Sequence, residues 1–261
     1  MTSSTPGTTG ARATIDWSAY AAVLFDLDGV ITPTAEVHMR AWSEMFNEFL
    51  TQYAAQHPGS DADTSAYTDA DYFAHVDGKP RYDGVRDFLA ARGIRLPEEH
   101  QPGEEPSVKG LGDRKNDAFN AVLARDGVTA YQGSVALLDH LRTLGTPLAV
   151  VSSSANAPAV LAAAGLADRF AAVVDGKVAV ELGLPGKPAP DTFLHAAEAV
   201  GATAATSVVL EDAVSGVRAG RAGDFALVVG VDRGAGVATL TEAGADVVVV
   251  DLAHTVPGVG A

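Results

Sequence analysis

Short apolar runs that alternate with alanine-rich helical stretches constrain the fold of this chain most strongly. Runs typical of buried strands occupy residues 21–28, 147–151, 207–210, 225–231 and 246–250. Helical spacing occurs between them, over residues 134–144, 157–164 and 191–200. Alternating strands and helices predict an α/β fold, with a Rossmann-like parallel sheet as its core and helices on both faces. Ligands bind such sheets beyond the carboxyl ends of the strands.

Residues 34–128 interrupt this alternation. They contain helical spacing over 36–53, 84–92 and 114–125 and no convincing strand. We therefore predict an inserted α-helical cap domain over 34–128, and a Rossmann-like core formed by residues 19–33 and 129–261. Eight of the first ten residues are Ser, Thr or Gly. Such a stretch cannot offset its ordering entropy by burial, so we expect residues 1–18 to be a disordered tail.

The charge balance excludes several classes of partner. With 33 acidic and 18 basic side chains, the formal net charge is −15. A surface this negative repels phosphate backbones and anionic lipid head groups, so we expect neither nucleic acid nor a membrane as partner. There is no cysteine, which excludes disulfides and thiolate nucleophiles. No apolar run approaches the ~20 residues that span a bilayer, and the start lacks a secretory signal. We expect a cytoplasmic protein, and a monomer.

Two pairs of acidic residues follow separate predicted strands. Asp26 and Asp28 end the first run, and in an extended chain side chains two positions apart point the same way. Glu211 and Asp212 follow a later run, at what should be the same sheet edge. Like charges this close are costly unless a cation or a proton lies between them. Any one acid could simply cap a turn or a helix. Asp26, Asp28 and Asp212 together would form an all-oxygen site suited to Mg²⁺.

Two further segments provide groups for an anion site. Ser152, Ser153 and Ser154 lie where a predicted strand passes into a helix, so hydroxyls and free backbone N–H groups would meet a ligand there. Lys187 lies between a glycine and a proline, ahead of another helix. Taken alone, Ser152 is more simply a helix cap and Lys187 a solvated loop charge. The lysine does not belong to a Walker loop, because Ser or Thr would have to follow it.

Four segments resemble, in order, the four motifs of the haloacid dehalogenase superfamily of phosphotransferases: FDLDGVIT, VVSSSAN, GKPAPDTF and LEDAVSGV. The resemblance spans nearly all of residues 20–252, and a helical cap inserted after the first motif marks one subfamily. Within it, the chain is most similar to the β-phosphoglucomutase branch. That similarity is carried by Thr34, Glu36, His38, Arg40 and Trp42 after the first motif, by Gly78, Lys79, Pro80 and Arg81, and by Arg114, Lys115, Asn116 and Asp117.

The resemblance implies roles for the core residues. Asp26 would be the nucleophile that forms an aspartyl phosphate, and Asp28 the general acid/base, oriented by His38. Mg²⁺ would be held by Asp26, the backbone carbonyl of Asp28 and Asp212, with support from Glu211. The transferring phosphate would be bound by Ser152, Ser153 and Lys187.

The resemblance also implies a substrate site in the cap. Its members would be Arg81, Lys115, Asn116, Ser154, Asn156 and Trp42, with Arg81 gripping the far phosphate of a sugar. Arg81 alone could form a surface salt bridge, Lys115 and Asn116 an exposed helix face, and His38 a structural contact. The sequence departs from the branch at Ala155, where the mutases have Lys, and at Pro33, which replaces a hinge acid.

Three functions follow from these residues as alternatives. The first is a mutase that interconverts β-D-glucose 1-phosphate and glucose 6-phosphate through a 1,6-bisphosphate, favoured by Arg81 together with Lys115 and Asn116. The second is a sugar-phosphate phosphatase with the same core, favoured by Ala155. The third is a non-catalytic module that binds a phosphorylated molecule, against which the complete set of core acids argues.

Overall fold

A six-stranded parallel sheet forms the centre of the protein, in a computed structural model that describes residues 14–99 and 106–259. The strand order is β3-β2-β1-β4-β5-β6. The strands are β1 (Ala22–Phe25), β2 (Leu148–Val151), β3 (Ala172–Val174), β4 (Ser207–Glu211), β5 (Leu227–Val231) and β6 (Val247–Val249). The predicted α/β, Rossmann-like core is confirmed. The sequence did not predict β3, which has only three residues and lies at the sheet edge.

Ten α-helices are found in the described residues. They are α1 (Thr34–Gln56), α2 (Asp69–Asp71), α3 (Arg81–Ala91), α4 (Val108–Asp126), α5 (Gln132–Leu144), α6 (Ala157–Ala163), α7 (Gly176–Leu182), α8 (Asp191–Ala199), α9 (Val214–Ala222) and α10 (Val237–Ala243). Shorter 3-10 turns are Trp17–Ala19, Ala167–Arg169, Ala204–Thr206 and Leu252–Thr255, and Tyr72–Val76 is a π-helical turn. None of the helices in this part of the chain has the length and hydropathy of a membrane span.

Apolar layers cover both faces of the sheet. Val23 and Phe25 of β1 belong to one buried cluster, shared with Leu137 of α5, while Leu24 belongs to a second cluster with Phe193 of α8. This alternation is the period of two expected for a strand buried on both faces. The sheet is therefore buried on both faces, and its carboxyl edge presents the loops that follow β1, β2 and β4.

Helices α1, α3 and α4 pack around an apolar cluster of their own, between β1 and α5 in the chain. Phe46 and Phe88 lie at its centre with ring centroids 4.1 Å apart. The helix α4 begins at Val108, six residues before the predicted start. Ser107 caps it by accepting a hydrogen bond from the N–H of Gly110 at 3.0 Å. Glycines in its first two turns interrupt the apolar periodicity, so the sequence predicted a later start. Gly112 is required because a Cβ at this position would lie 2.8 Å from the Tyr82 ring.

The prediction of a disordered tail over residues 1–18 was wrong for its last residues. Ile15 and Trp17 are buried, and Trp17 is only 1% exposed. The indole N–H of Trp17 donates to the carbonyl oxygen of Thr255 at 2.9 Å. Burial of a large ring together with this hydrogen bond offsets the cost of ordering the segment. Residues 1–13 of the predicted tail lie outside the described residues.

Candidate active site

The carboxyl ends of β1 and β4 bring three carboxylates together. Asp26 directly follows β1, Glu211 ends β4, and Asp212 comes next. The two strands are neighbours, with Phe25 opposite Leu210. One carboxylate oxygen from each acid lies within 4.8 Å of the others, a spacing that one metal ion could bridge. All three donors are oxygens, which fits Mg²⁺.

The ammonium group of Lys187 lies between two of these carboxylates. Its Nζ is 2.5 Å from Asp26 Oδ1 and 2.5 Å from Glu211 Oε1, and it donates to the Val151 carbonyl at 3.0 Å. Burial raises the pKa of Asp26 well above its usual range, although the charge of Lys187 opposes this. Burial also raises the pKa of Asp212, with repulsion from neighbouring carboxylates. The single ammonium group of Lys187 therefore does not balance the negative charge of the three carboxylates.

Asp28 lies among a different set of partners from Asp26. Thr34 Oγ1 donates to Asp28 Oδ1 at 2.5 Å, and Ser152 Oγ donates to Asp28 Oδ2 at 3.3 Å. His38 Nε2 is 3.4 Å from Asp28 Oδ1, longer than a well-formed hydrogen bond. Burial opposes ionisation, but His38 and Thr34 outweigh it and lower the pKa of Asp28 to about 2. Asp28 is therefore ionised at neutral pH.

His38 and Lys115 form a buried pair behind Asp28. Lys115 Nζ contacts His38 Nδ1 directly. The His38 ring stacks on Phe119, with centroids 4.0 Å apart, and the Lys115 ammonium lies 4.9 Å from the centroid of the Trp42 ring. Burial lowers the pKa of Lys115 to about 7, partly opposed by the charge of Asp28. Burial and the nearby Lys115 lower the pKa of His38. Lys115 is thus buried, not on an exposed helix face.

Arg81, Asn116 and Asn156 form a second polar group. Arg81 Nη2 donates to Asn116 Oδ1 at 2.7 Å, and Asn156 Nδ2 donates to the same oxygen at 2.8 Å. Arg81 Nη1 also pairs with the half-exposed Asp113 at 3.3 Å. The predicted grouping of Arg81 with Asn116 and Asn156 is therefore present. Arg81 also forms a salt bridge, which was the alternative interpretation of this residue from the sequence.

A cavity of about 70 Å³ joins the two polar groups. The predicted residues that line it are Asp26, Asp28, His38, Trp42, Arg81, Lys115, Asn116, Ser153, Ser154, Glu211 and Asp212. The other predicted residues contact this lining. Ser152 donates to Asp28, Asn156 to Asn116 and Lys187 to Asp26.

Residues 20–224 match the haloacid dehalogenase-like hydrolase family. The chain belongs to this family. A β-phosphoglucomutase of Mycobacterium tuberculosis (strain CDC 1551 / Oshkosh) is 48% identical over 239 residues, which cover 89% of this chain and 90% of that protein. A fructose-1-phosphate phosphatase of Escherichia coli (strain K12) is 31% identical over 210 residues, which cover 79% of this chain and 94% of that protein.

The crystal structure of a β-phosphoglucomutase from Clostridium difficile shares the fold. It superposes with a TM-score of 0.71 at 22% sequence identity, over 89% of this chain and 92% of that chain. The resemblance to the haloacid dehalogenase superfamily and its β-phosphoglucomutase-like branch is confirmed. As a family member with its core acids in place, the chain is an enzyme, and the non-catalytic module is excluded.

Asp77 is a further acidic residue that lines the cavity, and the sequence did not indicate it. It lies in the loop after the π-helical turn, and its carbonyl oxygen accepts a hydrogen bond from Ser215 Oγ at 3.0 Å. Burial, with repulsion from Glu211, raises the pKa of Asp77 to about 7. Its position directly before Gly78 in the segment quoted for the resemblance was the available signal.

Proposed function

We propose that the protein is a β-phosphoglucomutase, which interconverts β-D-glucose 1-phosphate and glucose 6-phosphate through an aspartyl phosphate and a 1,6-bisphosphate. The observation that carries this proposal is the hydrogen-bonded group of Arg81, Asn116 and Asn156, of which Arg81 and Asn116 line the same cavity as Asp26. A mutase needs a second anion site because its bisphosphate must bind in two orientations. The 48% identity to the mycobacterial mutase supports the proposal.

Asp26 is the nucleophile of the proposed reaction. Its carboxylate forms a bond to phosphorus in line with the sugar oxygen, whose bond to phosphorus breaks. Mg²⁺ would be held by Asp26, Glu211, Asp212 and the backbone carbonyl of Asp28, and it would offset the repulsion between carboxylate and phosphoryl oxygens. Because Lys187 already contacts Asp26, its ammonium is placed to bind the oxygens of the transferred group, together with Ser152 and Ser153.

Asp28 moves the proton in both half-reactions. It accepts the proton of the attacking sugar hydroxyl and returns it to the leaving oxygen of the next transfer. Its low pKa gives it the ionised form that the first step requires. Thr34 and His38 hold the carboxylate in place through their contacts with Asp28 Oδ1.

The remaining residues of the proposed site bind the sugar and the far phosphate. Arg81 has a guanidinium that can contact two phosphate oxygens at once. Ser154 and Asn156 lie on the core side, while Lys115, Asn116 and Trp42 lie on the helical side.

The helical insertion at 34–128 acts as a cap in this proposal. Ser153 Oγ donates to the Gly78 carbonyl at 2.8 Å and Ser215 Oγ to the Asp77 carbonyl, so core and helical insertion meet beside the cavity. A closed cap excludes water from the aspartyl phosphate. We also propose that the enzyme is a cytoplasmic monomer that acts on a phosphorylated sugar.

A sugar-phosphate phosphatase is the second candidate, favoured by the short side chain of Ala155 and by the similarity to the E. coli phosphatase. Parallel assays of glucose 6-phosphate formation and of phosphate release from β-D-glucose 1-phosphate separate the two, with Asp26→Asn as inactive control. The mutase proposal expects isomerisation to exceed phosphate release. Phosphate release without isomerisation would support the phosphatase instead.

A further inference from the structure

Arg233 lies outside the predicted site but bonds directly to its nucleophile loop. Its Nε donates to the carbonyl oxygen of Gly29 at 2.8 Å, and its Nη1 donates to the carbonyl oxygen of Val250 at 2.9 Å. The guanidinium carbon lies 3.9 Å from the centroid of the Tyr131 ring. One planar cation thus joins the loop after β1, the end of β6 and the segment that leads into α5.

At Gly29 the nucleophile loop approaches the Asp212 carboxylate too closely for a side chain to fit. Its φ is +88°, and a Cβ at this position would lie 1.8 Å from Asp212 Oδ2. No side chain separates the loop from the acid, so the position of the Gly29 backbone sets the separation between them. The Gly29 N–H is bonded to the Thr32 carbonyl at 2.7 Å, and its carbonyl is bonded to Arg233. Both polar groups of this residue are therefore fixed.

The third nitrogen of Arg233 faces a different environment. Within the described part of the chain, Nη2 is buried and has no hydrogen-bond partner. Arg233 lines a small cavity behind the loop together with Glu36, Asp77 and Asp212. The guanidinium therefore places a positive charge in the same small cavity as these three acidic residues.

We propose that Arg233 is a positioning residue, which seats Gly29 against Asp212 and so sets the geometry of the oxygen ligands for the metal ion. The proposal rests on the proposed function, because it takes the loop after β1 and Asp212 to hold Mg²⁺. Lysine cannot replace this arginine, since it lacks the fork of nitrogens that bonds both carbonyls while the guanidinium carbon contacts the Tyr131 ring.

Metal binding by the substrate-free enzyme tests this role. Mn²⁺ affinity is measured by electron paramagnetic resonance for wild type, Arg233→Lys and the control Arg169→Ala, which removes an arginine that pairs with Asp139 away from the site. We expect Arg233→Lys to weaken Mn²⁺ binding by about 10-fold or more, as loss of groups that orient metal ligands does. We expect the affinity of Arg169→Ala to equal that of wild type.

An unchanged Mn²⁺ affinity in folded Arg233→Lys would overturn the proposal. If that variant does not fold, Tyr131→Leu removes the contact with the ring and leaves both carbonyl bonds. Its Mn²⁺ affinity decides in the same way, with a smaller expected loss. Mn²⁺ binding is measured without the mutase reaction, so the two proposals can fail separately. Wild type that binds Mn²⁺ but forms no glucose 6-phosphate would contradict the mutase proposal alone.

Discussion

Lys187 and Asp26 form a buried ion pair, with 2.5 Å between Nζ and Oδ1. The same ammonium is 2.5 Å from Glu211, so two carboxylates share one cation in the core of the protein. Lys187 is only 3% exposed. This arrangement places a positive charge on the carboxylate that would carry the phosphoryl group, and it makes the fold and the proposed chemistry depend on the same side chain.

Lys187→Met removes the only positive charge that bonds Asp26 in the described structure. Breaking a buried pair in this way is expected to lower the free energy of unfolding by about 3–5 kcal/mol. Loss of transition-state charge stabilisation is expected to lower kcat by about 10²-fold or more. Urea unfolding and steady-state kinetics check both. The control is Lys109→Met, whose exposed pair with Glu99 is worth about 1 kcal/mol or less. Equal effects of the two substitutions would contradict the prediction.

Arg81→Lys tests the far phosphate site. Lysine retains the charge but cannot make the paired contacts of a guanidinium. We expect isomerisation to fall about 10- to 100-fold, because a lost charged contact raises the barrier and ~1.4 kcal/mol corresponds to a tenfold change in rate. Phosphate release should fall much less. Both rates are measured from the same β-D-glucose 1-phosphate reaction. Arg86→Lys, in an exposed pair with Glu98, is the matched control. Equal losses in both rates would argue against a separate far phosphate site.

The pKa of Lys115 predicts a dependence of stability on pH. It is lowered to about 7 from its ordinary 10.5, by burial and by the charge of Arg81, against the attraction of Asp28. Between these two values the unfolded chain binds more protons than the folded one, so this residue's contribution to stability rises with pH from about 7 to 10.5, by at most ~1.4 kcal/mol per pH unit.

Urea unfolding of wild type and Lys115→Met at several pH values measures this contribution. The difference in unfolding free energy between the two proteins should shift in favour of wild type as the pH rises above 7. Because Lys115 also lowers the pKa of His38, the comparison uses pH values well above 6.5, the ordinary pKa of that histidine. A difference that stays constant over this range would show that Lys115 keeps its ordinary pKa.

Trp17 anchors the beginning of the described chain to its end. Trp17→Ala removes a ring that is 1% exposed and a hydrogen bond to Thr255. We expect a loss of about 3–5 kcal/mol in the free energy of unfolding. Chemical denaturation measures it, with Ser18→Ala as the neighbouring exposed control. A loss below that of the control would mean that this segment does not pack on the core.

Much of the core was predictable because its signals are local. Strands β1, β2, β4, β5 and β6 are apolar runs that end beside turns. Asp26 directly follows β1, and Glu211 is the last residue of β4. The inference that Asp26 and Asp28 point the same way from an extended strand was only partly right. Because β1 ends at Phe25, the two carboxylates line one cavity but contact different partners.

Long-range contacts account for what the sequence did not show. Lys115 meets His38 across 77 positions, and Arg233 meets Gly29 across 204, and no local periodicity reports such pairs. Likewise, the burial of Trp17 depends on the far end of the chain. Motif order locates the acids of the site, but the groups that orient them are determined only by the folded arrangement.

A ³¹P NMR time course tests the mutase proposal most directly. The purified enzyme is mixed with Mg²⁺, β-D-glucose 1-phosphate and a trace of glucose 1,6-bisphosphate, and all phosphorus species are followed in one sample. The signal of glucose 6-phosphate is predicted to replace that of the substrate while inorganic phosphate stays minor. Inorganic phosphate that grows in step with the loss of substrate, without glucose 6-phosphate, would contradict the proposal.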